Sequence, residues 1–152
     1  MAPGKANNPF YAEGLPFSCT RCSDCCRHGP GYVFLSKQDV ELLAQGLQMR
    51  YTGIMQKYCR WVPAPGGKKQ LSLKEKLRFD CIFWQNGCTV YQYRPLQCRT
   101  FPFWESILDS QKTWDDLSCP GTGKGVLYSR EYIENCLAQR RAEPVLTAGG
   151  TW

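Results

Sequence analysis

Apolar residues recur at helical spacing in the first third of the chain. They follow Ser36-Lys-Gln-Asp39, which has the form of a capping box. Four apolar residues fit the i, i+3, i+4, i+7 pattern: Val40, Leu43, Ala44 and Leu47. The pattern predicts a helix that begins at Lys37, ends near Gly46 and buries one face.

Two more segments are predicted to be helical. Thr52 is a candidate N-cap for a helix that runs to about Cys59, and Ser129 is a candidate N-cap for a final helix that runs to about Arg141. Each helix carries one cysteine, Cys59 or Cys136, on its apolar face. Because free cysteine is among the most buried residue types, we expect both thiols to be core side chains rather than ligands.

Short apolar runs separated by turn residues predict β-hairpins. Residues 60–62 and 70–73 flank Ala64-Pro-Gly-Gly67, which is typical of a turn. Residues 79–84 and 88–91 flank Gln85-Asn86-Gly87, and Asn-Gly between apolar runs favours a tight hairpin turn. This second hairpin would carry Cys81 and Cys88 on either side of its turn. Arg94-Pro95 is predicted to begin a short turn or helix, because proline suits a first helical position, and this segment carries Cys98.

Residues 17–29 contain the highest density of cysteines in the chain. Four of the ten cysteines occur here at the spacing Cys19-x2-Cys22-x2-Cys25-Cys26. A two-residue gap lets thiolates on one turning loop converge on a single centre. Cysteines this dense cannot easily pair with one another, because each disulfide needs its own Cα separation and Cβ direction. The spacing therefore favours a metal site over a disulfide framework.

Composition and charge bear on the cellular compartment and on the kind of partner. The first residues contain no apolar run typical of a signal peptide, and no stretch approaches the roughly 18 apolar residues of a membrane span. We therefore expect a cytoplasmic protein, in which cysteine clusters usually bind metal or do redox chemistry. The net charge of +6 does not itself indicate a nucleic-acid partner, because eight thiolates with two divalent metals would lower it to about +2.

Four separated blocks of the chain resemble the CxxCxxCC cysteine-cluster family of zinc- or iron-chelating domains. The blocks are residues 17–26, Asp80-Cys81, residues 88–103 and Cys119-x-Gly121. The resemblance implies a bacterial metal-binding protein of the cytosol. It also implies eight candidate metal ligands: Cys19, Cys22, Cys25, Cys26, Cys81, Cys88, Cys98 and Cys119. The family is similar to the cysteine-rich part of flagellin lysine methylases, in which an iron–sulfur centre is implicated.

All-thiolate ligation suits zinc and iron–sulfur clusters alike. Four cysteines hold one tetrahedral zinc or one [4Fe-4S] cluster, so eight leave open two centres, one polynuclear centre, or some cysteines that do not ligate. The single histidine, His28, is a further candidate as a nitrogen ligand or as a partner of a ligand. The ferredoxin-like cysteine spacing and the dipeptide Cys119-Pro120 favour an iron–sulfur cluster.

Together these patterns predict an α+β fold: a small single domain of three to four short helices and one or two hairpins, with cysteine loops pinned by metal. Residues 1–16 are predicted to be an irregular arm, residues 17–141 the metal-binding domain, and residues 142–152 a flexible tail. The expected function is chelation of iron, as an iron–sulfur cluster, or of zinc. Two alternatives stay open: an enzyme that uses an iron–sulfur centre for methyl or electron transfer, and an interaction module stapled by zinc. The sequence points to no membrane or nucleic-acid partner and names no protein partner.

Overall fold

The computed structural model describes residues 8–19, 32–117 and 119–148. Within them the chain forms five α-helices and two small antiparallel sheets, which confirms the predicted α+β class. These residues divide into two compact units. Unit 1 comprises residues 8–19, 102–117 and 119–139, and unit 2 comprises residues 32–101 and 140–148. No helix in these ranges is long and apolar enough to cross a membrane.

The helices are short, and two of them have only five residues. They are α1 (Lys37–Leu47), α2 (Tyr51–Tyr58), α3 (Leu96–Thr100), α4 (Gln111–Asp115) and α5 (Arg130–Ala142). The strands are β1 (Leu15–Phe17), β2 (Cys59–Pro63), β3 (Lys69–Leu73), β4 (Val126–Tyr128) and β5 (Thr147–Ala148). The count of helices exceeds the predicted three to four, because a five-residue helix is too short to show an amphipathic period in the sequence.

Unit 2 is built around a three-stranded sheet in the order β2-β3-β5. Strands β2 and β3 form the hairpin predicted for residues 60–73, with Cys59 opposite Leu73. Leu35 N–H donates to Leu71 O at 3.0 Å, and Leu71 N–H donates to Leu146 O at 2.9 Å. These leucine side chains are buried against α1 and α2. Residues 140–148 belong to unit 2, in which β5 pairs with β3. The predicted boundaries of the arm, domain and tail stay predictions.

Helix α1 has the predicted capping box. Ser36 Oγ accepts from Asp39 N–H at 3.1 Å, and Asp39 Oδ2 accepts from Ser36 N–H at 2.9 Å. The helix ends at Leu47, and Gln48 follows it in the left-handed conformation with φ 54°. Gly46 lies inside the helix, where the ring of Tyr93 leaves no room for a Cβ atom. This close approach packs α1 against the residues that lead to α3.

Two predictions in unit 2 differ from the structure in detail. Helix α2 begins at Tyr51 after Arg50, not after Thr52, and it ends before Cys59, which is the first residue of β2. The Asn-Gly turn forms, with φ 53° at Asn86 and 128° at Gly87. Its flanks are joined by the isolated bridge between Trp84 and Cys88 and by a hydrogen bond from Thr89 N–H to Phe83 O at 2.9 Å, and among the described residues they form no regular strand pair, so the second hairpin is a turn without regular strands.

Unit 1 combines the two-stranded sheet β1-β4 with α4 and most of α5. The predicted N-cap of α5 is confirmed, since Ser129 Oγ accepts from Tyr132 N–H at 3.1 Å. Phe103 is buried at the centre of the unit, stacked on Trp114 at 5.9 Å between ring centroids and edge-on to Phe17 at 6.3 Å. Aromatic packing of this kind adds to the hydrophobic burial that holds the unit together.

Candidate metal centre

The predicted ligand cysteines are found in both units. Cys19 and Cys119 belong to unit 1, and Cys81, Cys88 and Cys98 belong to unit 2. The other predicted ligands, Cys22, Cys25 and Cys26, lie outside the described residues, as does His28. Among residues 8–19, 32–117 and 119–148, no two cysteines are joined by a disulfide and no three metal-binding side chains gather into a site.

In unit 1, hydrogen bonds hold the Cys119 turn beside the segment that leads to Cys19. Ser18 N–H donates to Gly121 O at 3.1 Å, and Gly123 N–H donates to Pro16 O at 2.9 Å. Ser18 Oγ also accepts from the N–H of Val126, the first residue of β4, at 3.1 Å. Two cysteines about a hundred residues apart in sequence are thus carried by backbone segments that are bonded to each other. The thiol-bearing residue Cys19 is exposed and Cys119 is half-buried.

Two residues of the Cys119 turn have roles that cysteine spacing does not reveal. Gly121 has no room for a side chain, because a Cβ atom there would collide with the backbone oxygen of Ser18. Thr122 N–H donates to Cys119 O at 3.2 Å, whereas the Thr122 hydroxyl is buried and has no hydrogen-bond partner within the part of the chain that the structure describes. An unpaired buried hydroxyl costs about 1–3 kcal/mol. A metal-bound thiolate or a sulfide would accept its hydrogen bond, so the turn fits a metal–sulfur centre.

In unit 2, Cys81 and Cys88 flank the Asn-Gly turn as predicted. Trp84 N–H donates to Cys81 O at 2.8 Å, and Trp84 faces Cys88 across the bridge. Cys81 also faces Glu75 across a second isolated bridge. Both cysteines are half-buried at the edge of the unit 2 core. They are therefore held by local backbone bonds while part of each residue stays accessible.

Cys98 lies on α3, and hydrogen bonds within residues 91–99 hold the segment around it. The guanidinium carbon of Arg94 lies 3.8 Å from the centre of the Tyr91 ring, and Arg94 Nε donates to Tyr91 O at 2.8 Å. Arg99 Nε donates to Arg94 O at 3.0 Å, and Cys98 N–H donates to Pro95 O at 3.0 Å. The arginines that flank Cys98 in the sequence thus fix the turn that presents it.

A comparison with known protein families gives a match that covers most of the chain. A family model named CxxCxxCC and described as a "putative zinc- or iron-chelating domain" matches residues 18–120. The chain belongs to the CxxCxxCC family. All eight predicted ligands lie inside the matched range, and Cys136 lies outside it. Membership supports the binding of zinc or iron in general and leaves open which of the two is native.

Relatives of this CxxCxxCC chain add little about its role. An uncharacterised protein of Methanocaldococcus jannaschii is 27% identical over 116 residues, which cover 74% of this chain and 59% of that protein. The chain therefore spans less than two thirds of the length of this relative. No solved structure matches the chain.

Two further cysteines of this CxxCxxCC chain are buried, as the sequence predicts. The exposed fraction is 6% for Cys59 and 7% for Cys136. Burial raises the pKa of the Cys59 thiol to about 12, although nearby Lys74 acts in the opposite direction. Burial likewise raises the pKa of the Cys136 thiol, while a hydrogen bond with Tyr132 lowers it. Because metals bind the thiolate, these two protonated thiols are poor ligands compared with the partly exposed cysteines.

Replacing Cys59 by alanine should flatten the alkaline side of the stability curve of the metal-free, reduced protein. The unfolded thiol has a pKa of about 8.5. The folded thiol, with its pKa of about 12, keeps its proton above that pH, so stability from this group is present below the unfolded pKa and is lost as pH rises. The wild-type protein should lose up to about 1.4 kcal/mol per pH unit more than Cys59→Ala in this window. Urea unfolding at about pH 8 and about pH 10.5 measures the difference, and parallel losses would contradict the assignment.

Proposed function

We propose that this CxxCxxCC chain binds iron as an iron–sulfur cluster through thiolates of the motif cysteines, and that zinc fills the same thiolates when iron or sulfide is short. The proposed ligands are the eight cysteines at positions 19, 22, 25, 26, 81, 88, 98 and 119. Eight thiolates exceed the four that one cubane cluster or one zinc ion takes. A bound iron–sulfur cluster supplies one-electron oxidation and reduction.

The Cys119 turn is the observation that carries this proposal. The backbone before Cys19 is hydrogen bonded to the turn, and the buried Thr122 hydroxyl has no partner among the residues that the structure covers. Hydrogen bonds to cluster sulfurs are one of the ways in which proteins tune iron–sulfur centres. A hydroxyl donor in a turn that also carries a thiol is therefore suited to a sulfur-rich centre.

The sequence features that separate iron–sulfur from zinc point towards iron. The Cys-x2-Cys-x2-Cys spacing and Cys119-Pro120 follow the bacterial ferredoxin pattern. Closed sites of four cysteines nevertheless take zinc readily. Protein produced with little iron, or handled in air, is therefore expected to hold zinc or incomplete clusters.

Metal analysis of protein produced with ample iron and purified without oxygen tests the proposal. The protein should be brown, with a broad visible absorption band that dithionite bleaches, and it should contain acid-labile sulfide. The same protein produced with zinc and no added iron serves as the colourless reference. A colourless product with stoichiometric zinc and no sulfide from the iron-rich preparation would reject iron–sulfur and leave a zinc-stapled module.

A further inference from the structure

Gln97, the residue before Cys98, bonds to the segment that follows the cysteine-rich motif. Its Oε1 accepts from Phe34 N–H at 2.9 Å, and its Nε2 donates to Tyr32 O at 2.9 Å. A neighbouring β-strand would make the same pair of bonds, one accepted and one donated. The side chain of Gln97 thus occupies the edge of residues 32–34 as a strand would.

The opposite edge of the same segment is bonded to the sheet of unit 2. Leu73 N–H donates to Val33 O at 3.0 Å, and Val33 N–H donates to Ser72 Oγ at 3.1 Å. Residues 32–35 are therefore held on one side by β3 and on the other side by the residue next to Cys98. Tyr32 comes six residues after Cys26 in the sequence, so these bonds fix the first described residues after the cysteine-rich motif.

Asp39 makes a second connection between α3 and the same region. Its Oδ1 accepts from Leu96 N–H at 2.8 Å, while its Oδ2 accepts from Ser36 N–H in the capping box. The residue is 1% exposed, so both bonds form in the unit 2 core. Buried hydrogen bonds to a carboxylate are among the stronger ones in proteins. One side chain thereby fixes the first turn of α1 and the first turn of α3 in a single arrangement.

We propose that Gln97 is a positioning residue for metal binding, which together with Asp39 holds the segment that carries Cys98 beside residues 32–34. The inference rests on the proposed function, in which Cys98 is a ligand. Thiolates that come from distant parts of a chain bind metal more tightly when the protein holds them in place before binding, because less ordering is then needed on binding. Residues that orient ligands without touching the metal typically contribute 10- to 100-fold to metal affinity. Gln97→Ala should accordingly weaken metal binding by about 10-fold.

The test compares Co²⁺ binding by the full reduced chain in three variants and the wild-type protein. Co²⁺ bound to thiolates has strong charge-transfer bands, and competition with a chromophoric chelator gives its affinity. Gln97→Ala should bind Co²⁺ about 10-fold more weakly. Gln97→Glu keeps the acceptor for Phe34 N–H and loses the donor to Tyr32 O, so it should fall between Gln97→Ala and wild type. Gln111→Ala removes a glutamine that makes a similar 2.9 Å bond on the exposed face of α4, and it should bind as the wild type does.

A second readout separates positioning from a general loss of stability. In the metal-free protein, Gln97→Ala should speed hydrogen exchange of the Phe34 amide, because that amide loses its acceptor. Cys59→Ala, which destabilises the core of the same unit, should bind Co²⁺ with wild-type affinity. If Gln97→Ala speeds Phe34 exchange yet keeps wild-type Co²⁺ affinity, or if Cys59→Ala weakens binding as much, the positioning role is wrong and the proposed function stands. A wild-type protein without thiolate–Co²⁺ bands would overturn both.

Discussion

Cys98→Ala and Cys119→Ala should each lower the metal content per chain, whereas Cys59→Ala and Cys136→Ala should leave it unchanged. Loss of a ligand opens a coordination position that water or solute thiols then occupy, and a four-thiolate centre with an open position is labile. Loss of a buried thiol only leaves a small cavity, because these two thiols are protonated and enclosed by the core. The core changes should cost on the order of 1 kcal/mol of unfolding free energy at full metal occupancy.

Elemental analysis and sulfide determination on the four variants, purified in parallel without oxygen, measure this difference. Full metal content in Cys98→Ala and Cys119→Ala would show that neither residue ligates. Loss of metal in Cys136→Ala would show that metal binding depends on a cysteine outside the residues that match the family.

Removing the metal should loosen the Cys119 turn and the residues around Cys81 and leave the centre of unit 2 folded. Structural zinc sites contribute roughly 10–16 kcal/mol of binding free energy to folding. The Cys119 turn and the residues around Cys81 have little regular structure of their own. By contrast, Leu35 and Leu71 are buried and hydrogen bonded within the hydrophobic core of unit 2, and the predicted ligands Cys81 and Cys88 only pack against its edge.

Chelation under reducing conditions, followed by circular dichroism and amide hydrogen exchange, tests this expectation. The amide of Thr122 in the Cys119 turn should exchange much faster after chelation, and the amide of Leu71 in β3 should stay protected. The melting transition of the whole chain should move to lower temperature. Complete removal of metal with unchanged melting and unchanged Thr122 exchange would show that the metal is not part of the fold.

The sequence predicts best those parts of the fold that local chemistry determines. The capping box at Ser36, the hairpin over residues 60–73 and the Ser129 cap of α5 are confirmed because each depends on a few adjacent residues. The sequence predicts only a short turn or helix from Arg94-Pro95, where α3 begins at Leu96, and it does not predict α4, since five residues show no hydrophobic period. The pairing of β5 with β3 is not predicted either, because two residues of strand leave no pattern.

For the candidate centre, the sequence predicts which residues are candidate ligands, but it does not predict the contacts that position them. Spacing and family resemblance select the cysteines, and the structure covers five of the eight selected. The same capping box that predicts α1 involves Asp39, but nothing in the sequence shows that its second oxygen accepts from Leu96, which lies 57 residues away. The requirement for glycine at position 121 likewise depends on Ser18, a residue about a hundred positions earlier. Long-range contacts of this kind become visible only once the chain is folded.

Both units are assembled from stretches that leave the ribosome at very different times. Unit 1 needs β4 to complete the sheet that begins with β1, and unit 2 needs β5 beside β3. At a translation rate of roughly 5–20 residues per second, the turn that carries Cys119 is synthesised on the order of 5–20 s after Cys19. During synthesis the first thiols are therefore without the segments that position the last ones. Metal or cluster delivery is thus expected to follow synthesis of β4, and a nascent chain arrested before residue 126 should carry the motif without retaining its metal.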